Sequence, residues 1–149
     1  MEPDGRCRVY NREEMAFGYR TSIVKTKPCV VLSTVLKLKK GDRSEISATM
    51  QELSAKRREK QPLEYPSAGS TFKRPEGYFA GKLIMDAGLA GASVGGAQVS
   101  EKHCGFVINR KNATSADVAG LIQKVTETVQ EKFGVTLEPE VIFLGDFEK

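Results

Sequence analysis

Ser70-Thr71-Phe72-Lys73 sets a hydroxyl three residues before an ammonium. On one helical turn the two groups would touch, and the lysine could raise the serine's nucleophilicity, as in S-x-x-K acyl-serine chemistry. That chemistry also needs S-D-N and K-T-G elements. Neither is present, since Lys25-Thr26-Lys27 lacks the glycine. Pro75 and Gly77 would also break the helix. The residues around Ser70 point to a different use. Residues 61–77, QPLEYPSAGSTFKRPEG, gather Pro62, Pro66 and Pro75 with Gly69 and Gly77 around the Ser70–Thr71 hydroxyl pair. Prolines fix φ and glycines allow tight turns. The spacing predicts a stiff loop that holds Ser70 and Lys73 in place.

Other chemistry-bearing patterns are sparse. Residues 77–82, GYFAGK, are one residue short of a Walker loop and lack the following Ser or Thr. The glycine-rich stretch 88–96 has no G-x-G-x-x-G, so no nucleotide fingerprint stands in this sequence. His103 is the single histidine, set in a polar run with Gln98, Ser100, Glu101 and Lys102. The three cysteines, Cys7, Cys29 and Cys104, are far apart and odd in number. They read as reduced thiols, and without a C-x-x-C pair they predict no metal site. A net charge of +4 is compatible with nucleic acid, with a phosphorylated small molecule, or with no charged partner at all. Two basic clusters, Lys37/Lys39/Lys40/Arg43 and Lys56/Arg57/Arg58/Lys60, carry no interleaved aromatics and read as solvated faces. No apolar run approaches ~20 residues, so no membrane span is expected. The first residues lack the apolar core of a signal peptide.

The elements that must position these groups follow from periodicity. Residues 6–10 suggest a short strand and residues 11–17 a helical turn. Residues 29–39 alternate cleanly and predict a strand. Asp42 with Glu45 forms a capping box for a helix reaching Lys60, with Ile46, Met50 and Leu53 as its stripe. Ala80, Leu83, Ile84 and Ala87 mark a second helix stopped by Gly88. Short strands are expected at 98–100 and 106–109. The longest helical stripe is Val118, Leu121, Ile122, Val125, Val129 and Phe133, capped by Thr114 or Ser115 and ended by Gly134. Residues 136–144 read as a strand carrying Glu138 and Glu140. Without a regular βαβ rhythm, the pattern predicts an α+β fold: a mostly antiparallel sheet with helices packed on it.

Taken together, FGYRTS (17–22), PSAGSTFKRPEGYFAGKLI (66–84), GGAQVSEKH (95–103), FVINRKNATSADV (106–118) and LEPEVIFLG (137–145) resemble the C-terminal portion of the UDP-N-acetylenolpyruvoylglucosamine reductases. The pieces occur in that family's order and span nearly the whole chain. They look like the shorter of its two branches.

The resemblance implies a flavoenzyme of peptidoglycan precursor synthesis. NADPH reduces FAD, hydride passes to the enolpyruvyl alkene, and a serine protonates the adjacent carbon. By motif position that serine is Ser70, with Arg20 and Glu140 as the other catalytic residues. Arg20 would hold the developing carboxylate charge with its fork of donors. Glu140 would share a hydrogen bond with the same oxygens if burial kept it protonated. Tyr19, Lys73, Arg74 and His103 fall at substrate-binding positions, although some relatives carry Asn where Arg74 stands. Gly69 falls at a position where backbone approaches flavin or substrate. The resemblance further implies that residues 1–39 are a remnant of the FAD-binding domain and residues 40–149 the substrate-binding domain. Partners are then a UDP-sugar and the missing N-terminal flavin domain, with no nucleic acid and no membrane, in the cytoplasm. The fragment is expected not to bind FAD by itself. The competing reading is a non-catalytic α+β module that binds phosphate ligands or nucleic acid.

Overall fold

The computed structural model describes residues 1–18 and 21–146. The chain separates into two compact units, Met1–Asp42 and Arg43–Lys149.

The first unit is built from turns. Its longest regular piece among the described residues is a 3-10 turn, Ile23–Lys25. The Lys27 ammonium bridges the Glu2 carboxylate at 3.0 Å and the Tyr10 hydroxyl at 2.6 Å. The strand expected at 6–10 is absent, and so is the one at 29–39. The alternation at 29–39 is real, but a strand exists only when a neighbour completes its hydrogen bonds. Val30 exchanges backbone bonds with Met1, and the ladder goes no further. Val35, Leu36 and Leu38 are left exposed on the segment.

In the second unit, helix α1 spans Arg43–Lys60 as its pattern predicts. No residue of it is buried, however, and Ile46, Met50 and Leu53 lie in solvent. The stripe is one residue wide per turn, narrower than the face a buried helix presents. The C-terminal end of α1 is tied down by the Lys102 ammonium, which donates to the Arg58 carbonyl at 2.7 Å.

Strand β1 (Ser67–Ser70), helix α2 (Ala80–Asp86), strands β2 (Ser93–Val94), β3 (Ala97–Val99) and β4 (Phe106–Asn109), and helix α3 (Ser115–Phe133) make the packed body. The sheet order is β1-β4-β3-β2, with every pairing antiparallel. This is the α+β class that the pattern predicts. Helix α3 lies across β2, β3 and β4, and α2 packs on α3. The helical stripe is core: Leu121, Ile122, Val125 and Val129 are buried against Ile84, Ala97, Val99, Val107 and Leu137. Each such side chain contributes roughly 1.5–3 kcal/mol by leaving water. Phe133, at the end of the stripe, is exposed. Residues 136–144 do not form the expected strand. Among the described residues they contribute one antiparallel bridge, Pro139 to Phe72. Pro139 has no N–H to extend a ladder.

The glycines between β2 and β3 have a packing role. A Cβ on Gly95 would lie 2.2 Å from the Asp117 carboxylate, and one on Gly96 would lie 2.2 Å from the Lys111 carbonyl. The hairpin can therefore press against the start of α3. There the Asp117 carboxylate accepts from the amides of Thr114 (2.9 Å) and Gly96 (3.2 Å), while Thr114 accepts from the Asp117 amide. This is a closed capping box that also clamps a strand turn.

Those two amides, Thr114 first, hold the Asp117 carboxyl below the usual aspartate range. A carboxyl depressed on folding stabilises the protein above its unfolded pKa, and the contribution is lost as pH falls through the folded value. Urea unfolding checks both parts of the clamp. Thr114→Ala should cost about 1 kcal/mol at neutral pH. Asp117→Asn should flatten the loss of stability as pH falls below the usual aspartate range.

Candidate active site

Strand β1 is the edge strand that carries Ser70. Residues 61–77 are thus not loop throughout, because 67–70 pair with β4 and draw their rigidity from the sheet. Ser67 faces Ile108 and Ser70 faces Phe106, so the register slips between them. Gly69 sits at the slip with φ +87°. That conformation is costly for any side chain, and a Cβ there would meet nothing within 4 Å. Glycine is required here by the backbone turn. The slip re-aims the next residue, as bulges do. Ser70 is left exposed, its hydroxyl making only a long 3.5 Å bond to the Phe72 carbonyl.

Thr71 does the reverse of Ser70. It is 2% exposed, and all its polar groups are bonded inside the protein. Its amide donates to the Gly105 carbonyl at 2.8 Å. Its hydroxyl accepts from the Val107 amide at 2.9 Å. Its carbonyl accepts from the Glu140 amide at 2.8 Å. One residue on, Phe72 is buried and bridges Pro139. The Lys73 amide then donates to the Glu138 carbonyl at 2.8 Å. The two backbone bonds bring Glu140 alongside the Ser70 strand from 70 residues further along the chain. Lys73 also forms an ion pair with Glu138 at 2.8 Å, with both side chains about half exposed or more. Such a pair is worth little in stability but can bias a side chain's direction.

The structure gathers Ser70, Lys73 and Glu140 around the Thr71–Phe72 pair. His103 is linked to them through Phe106, the partner of Ser70, against which its ring stands edge-on at 4.9 Å. Arg74 is turned elsewhere. Its guanidinium stacks 4.0 Å over the Phe79 ring, and Nε donates to the Tyr78 carbonyl at 3.3 Å. Tyr19 and Arg20 lie outside the described residues. Glu140 is exposed in this chain. A groove of about 350 Å³ runs between β1, Val118 of α3 and Val141; Thr71 lines it and Ser70 does not. Among the described residues no three His, Cys, Asp or Glu side chains cluster to hold a metal ion. Burial pushes the Cys104 thiol up, away from the reactive range.

The sequence pairs Thr71 with Ser70 and sets Glu138 beside Glu140 without giving either a role, and it gives no signal for Gly105. The first Glu of Glu-Pro-Glu and the second hydroxyl of the Ser-Thr pair were the available signals, both adjacent to residues already singled out.

The family described as UDP-N-acetylenolpyruvoylglucosamine reductase, C-terminal domain, matches residues 61–144, more than half of the chain. The chain belongs to the UDP-N-acetylenolpyruvoylglucosamine reductase family. A reductase of that name from Agathobacter rectalis is 62% identical over 144 residues, covering 97% of this chain and 46% of the relative. One from Lachnoclostridium phytofermentans is 59% identical, covering 96% and 46%. The crystal structure of the reductase (MurB) from Thermus caldophilus matches with TM-score 0.69 at 36% identity, over 92% of this chain and 49% of that one. The chain spans about half the length of the curated reductases it matches.

Thr71→Val keeps the shape of the side chain but strands the buried Val107 amide. It should cost about 1–3 kcal/mol in chemical unfolding, and Thr71→Ser should recover most of that.

Proposed function

We propose that this chain is the C-terminal, substrate-handling part of a reductase that converts UDP-N-acetylglucosamine enolpyruvate to UDP-N-acetylmuramate in peptidoglycan precursor synthesis. The observation that carries the reading is the family match over 61–144, which contains the Ser70 strand and the Glu140 segment joined at Thr71. The family implies FAD and NADPH. The described residues of this chain do not fit a flavin diphosphate. Gly95–Gly96, the glycine turn closest in type to a phosphate cradle, is filled by the Asp117 carboxylate and the Lys111 carbonyl. The reading therefore assigns FAD and NADPH to an N-terminal half like that of the longer relatives.

This chain's share is proton delivery and charge handling. Reduction of the enolpyruvyl group leaves an enolate-like carboxylate. Ser70, exposed at the end of an edge strand, gives its hydroxyl proton to the carbon next to that carboxylate. A serine is a weak acid, so the step depends on a reactive enolate, a fixed approach and a proton returned to the serine oxygen from solvent. Glu140 and Arg20 take the carboxylate oxygens, the arginine through paired donors. Docked substrate and the N-terminal half supply the burial that Glu140 lacks in the chain alone. Lys73, released from Glu138, adds positive charge near the same anion. Arg74 would need to leave Phe79 to do likewise. Tyr19 completes the substrate-binding set. A UDP-sugar substrate fits the basic balance of the chain. No helix among the described residues is long and apolar enough to cross a membrane. We assign the assembled enzyme to the cytoplasm, where UDP-sugars are made.

Co-expression with the N-terminal half of the Agathobacter rectalis relative tests this. The reassembled enzyme should bind flavin and oxidise NADPH only when the enolpyruvyl sugar is present. Ser70→Ala should lower kcat by about 10²-fold or more, as for loss of a general acid. A variant within a few-fold of the parent would remove Ser70 from the reaction.

A further inference from the structure

His103 is exposed, yet its ring is held from several sides. Its Nδ1 accepts a hydrogen bond from the Gly105 amide at 3.1 Å. Its edge stands on Phe106 at 72°. Its own amide donates to Ser100 Oγ at 3.3 Å, and its carbonyl accepts from the Phe106 amide at 3.0 Å. Ser100 is itself buried. The ring lies against two glycines. A Cβ on Gly105 would come within 2.9 Å of the imidazole Cε1, and one on Gly81 within 3.3 Å. Neither glycine has a positive φ, so neither is explained by backbone conformation. Gly105 requires room for the ring itself, while a Cβ on Gly81 would meet the Gly105 amide nitrogen first, at 3.1 Å, and then the ring.

A histidine that accepts a proton bond at Nδ1 must carry its remaining proton on Nε2. The imidazole then offers solvent one donor, in a fixed place. An exposed side chain ordinarily keeps its rotamer freedom, and holding it still has an entropy cost. The gain comes on binding, because a donor already in position loses less on meeting its acceptor. The ring is joined through Phe106 to the Ser70 strand.

We propose that Gly105 and Gly81 are positioning residues that lock His103 as an Nε2–H donor toward an anionic oxygen of the nucleotide-sugar substrate. This rests on the reductase reading for the identity of the ligand, though not for the lock. The acceptor is a diphosphate or a carboxylate oxygen, and both present the same chemistry to the donor.

His103 is the only histidine in the chain, so ¹⁵N-histidine labelling gives one imidazole signal. In the 149-residue chain above neutral pH, the parent should show a single Nε2–H tautomer and a rigid ring. Gly105→Ala should broaden the tautomer mixture and mobilise the ring. Gly81→Ala, a substitution a helix interior welcomes, should do so more mildly. Unchanged α3 amide signals would show that the fold survives. Equal imidazole spectra in all three proteins would overturn the lock, whatever the reaction.

In the enzyme reassembled with the N-terminal half, substrate should shift the Nε2 signal. A shift with UDP alone assigns the diphosphate, and a shift only with the enolpyruvyl sugar assigns the carboxylate. Gly105→Ala should raise KM about tenfold, a larger change than any in kcat, the pattern of lost binding to a charged group. Turnover with a stationary Nε2 signal, or an unchanged KM, would overturn the docking role. A reassembled enzyme without turnover would overturn the reductase reading and its ligand, while the lock stands or falls on the first measurement.

Discussion

The amide, hydroxyl and carbonyl of Thr71 each bond to a different stretch of chain: Gly105, Val107 and Glu140. The residue before it is exposed and the one after it is buried. Each bond alone adds about 1 kcal/mol, but leaving one buried partner unmade costs more than making it gains. The constraint therefore acts mainly on geometry. A short edge strand with a register slip would be free to fray, and Thr71 prevents this just where Ser70 leaves the sheet. The same residue fixes where the Glu140 segment crosses. An exposed hydroxyl and an exposed carboxyl, distant in sequence, inherit their separation from a buried threonine.

Around this point the fold supplies a rigid base. Helix α3 buries its stripe under β2, β3 and β4, and its capping box also clamps the β2–β3 turn through Asp117. The glycine-rich stretch that might pass for a ligand cradle is in fact a packing joint. Strand β4 serves twice: it pairs with β1, and its first residue, Phe106, carries the His103 ring. Sheet, Ser70 hydroxyl and His103 ring thus share one strand boundary.

Much of this was legible in the sequence, and the failures share a cause. Helices α2 and α3 and strands β3 and β4 bury their patterned faces within the second unit, so pattern and structure agree. Residues 29–39 alternate as well as any strand here, but pairing is a property of two segments, and periodicity reports one. The helix α1 stripe has the right period and still lies in solvent, with Ile46, Met50 and Leu53 all exposed. Both belong to a chain about half the length of its relatives. Residues 136–144 failed differently: Pro139 limits them to one bridge. For the site, Ser70, Lys73, His103 and Glu140 were nameable because chemistry-bearing types stood in family motifs. Thr71 and Gly105 were not, since their roles are a buried bond and an absent methyl group.

Backbone amide hydrogen exchange on the 149-residue chain tests the central claim most directly. If Thr71 joins the three segments, the amides of Thr71, Val107 and Glu140 open together and are protected to a similar degree as the core of α3. Glu140 exchanging as fast as an unprotected terminus, while Val107 stays protected, would mean that the carboxylate segment is not held beside Ser70.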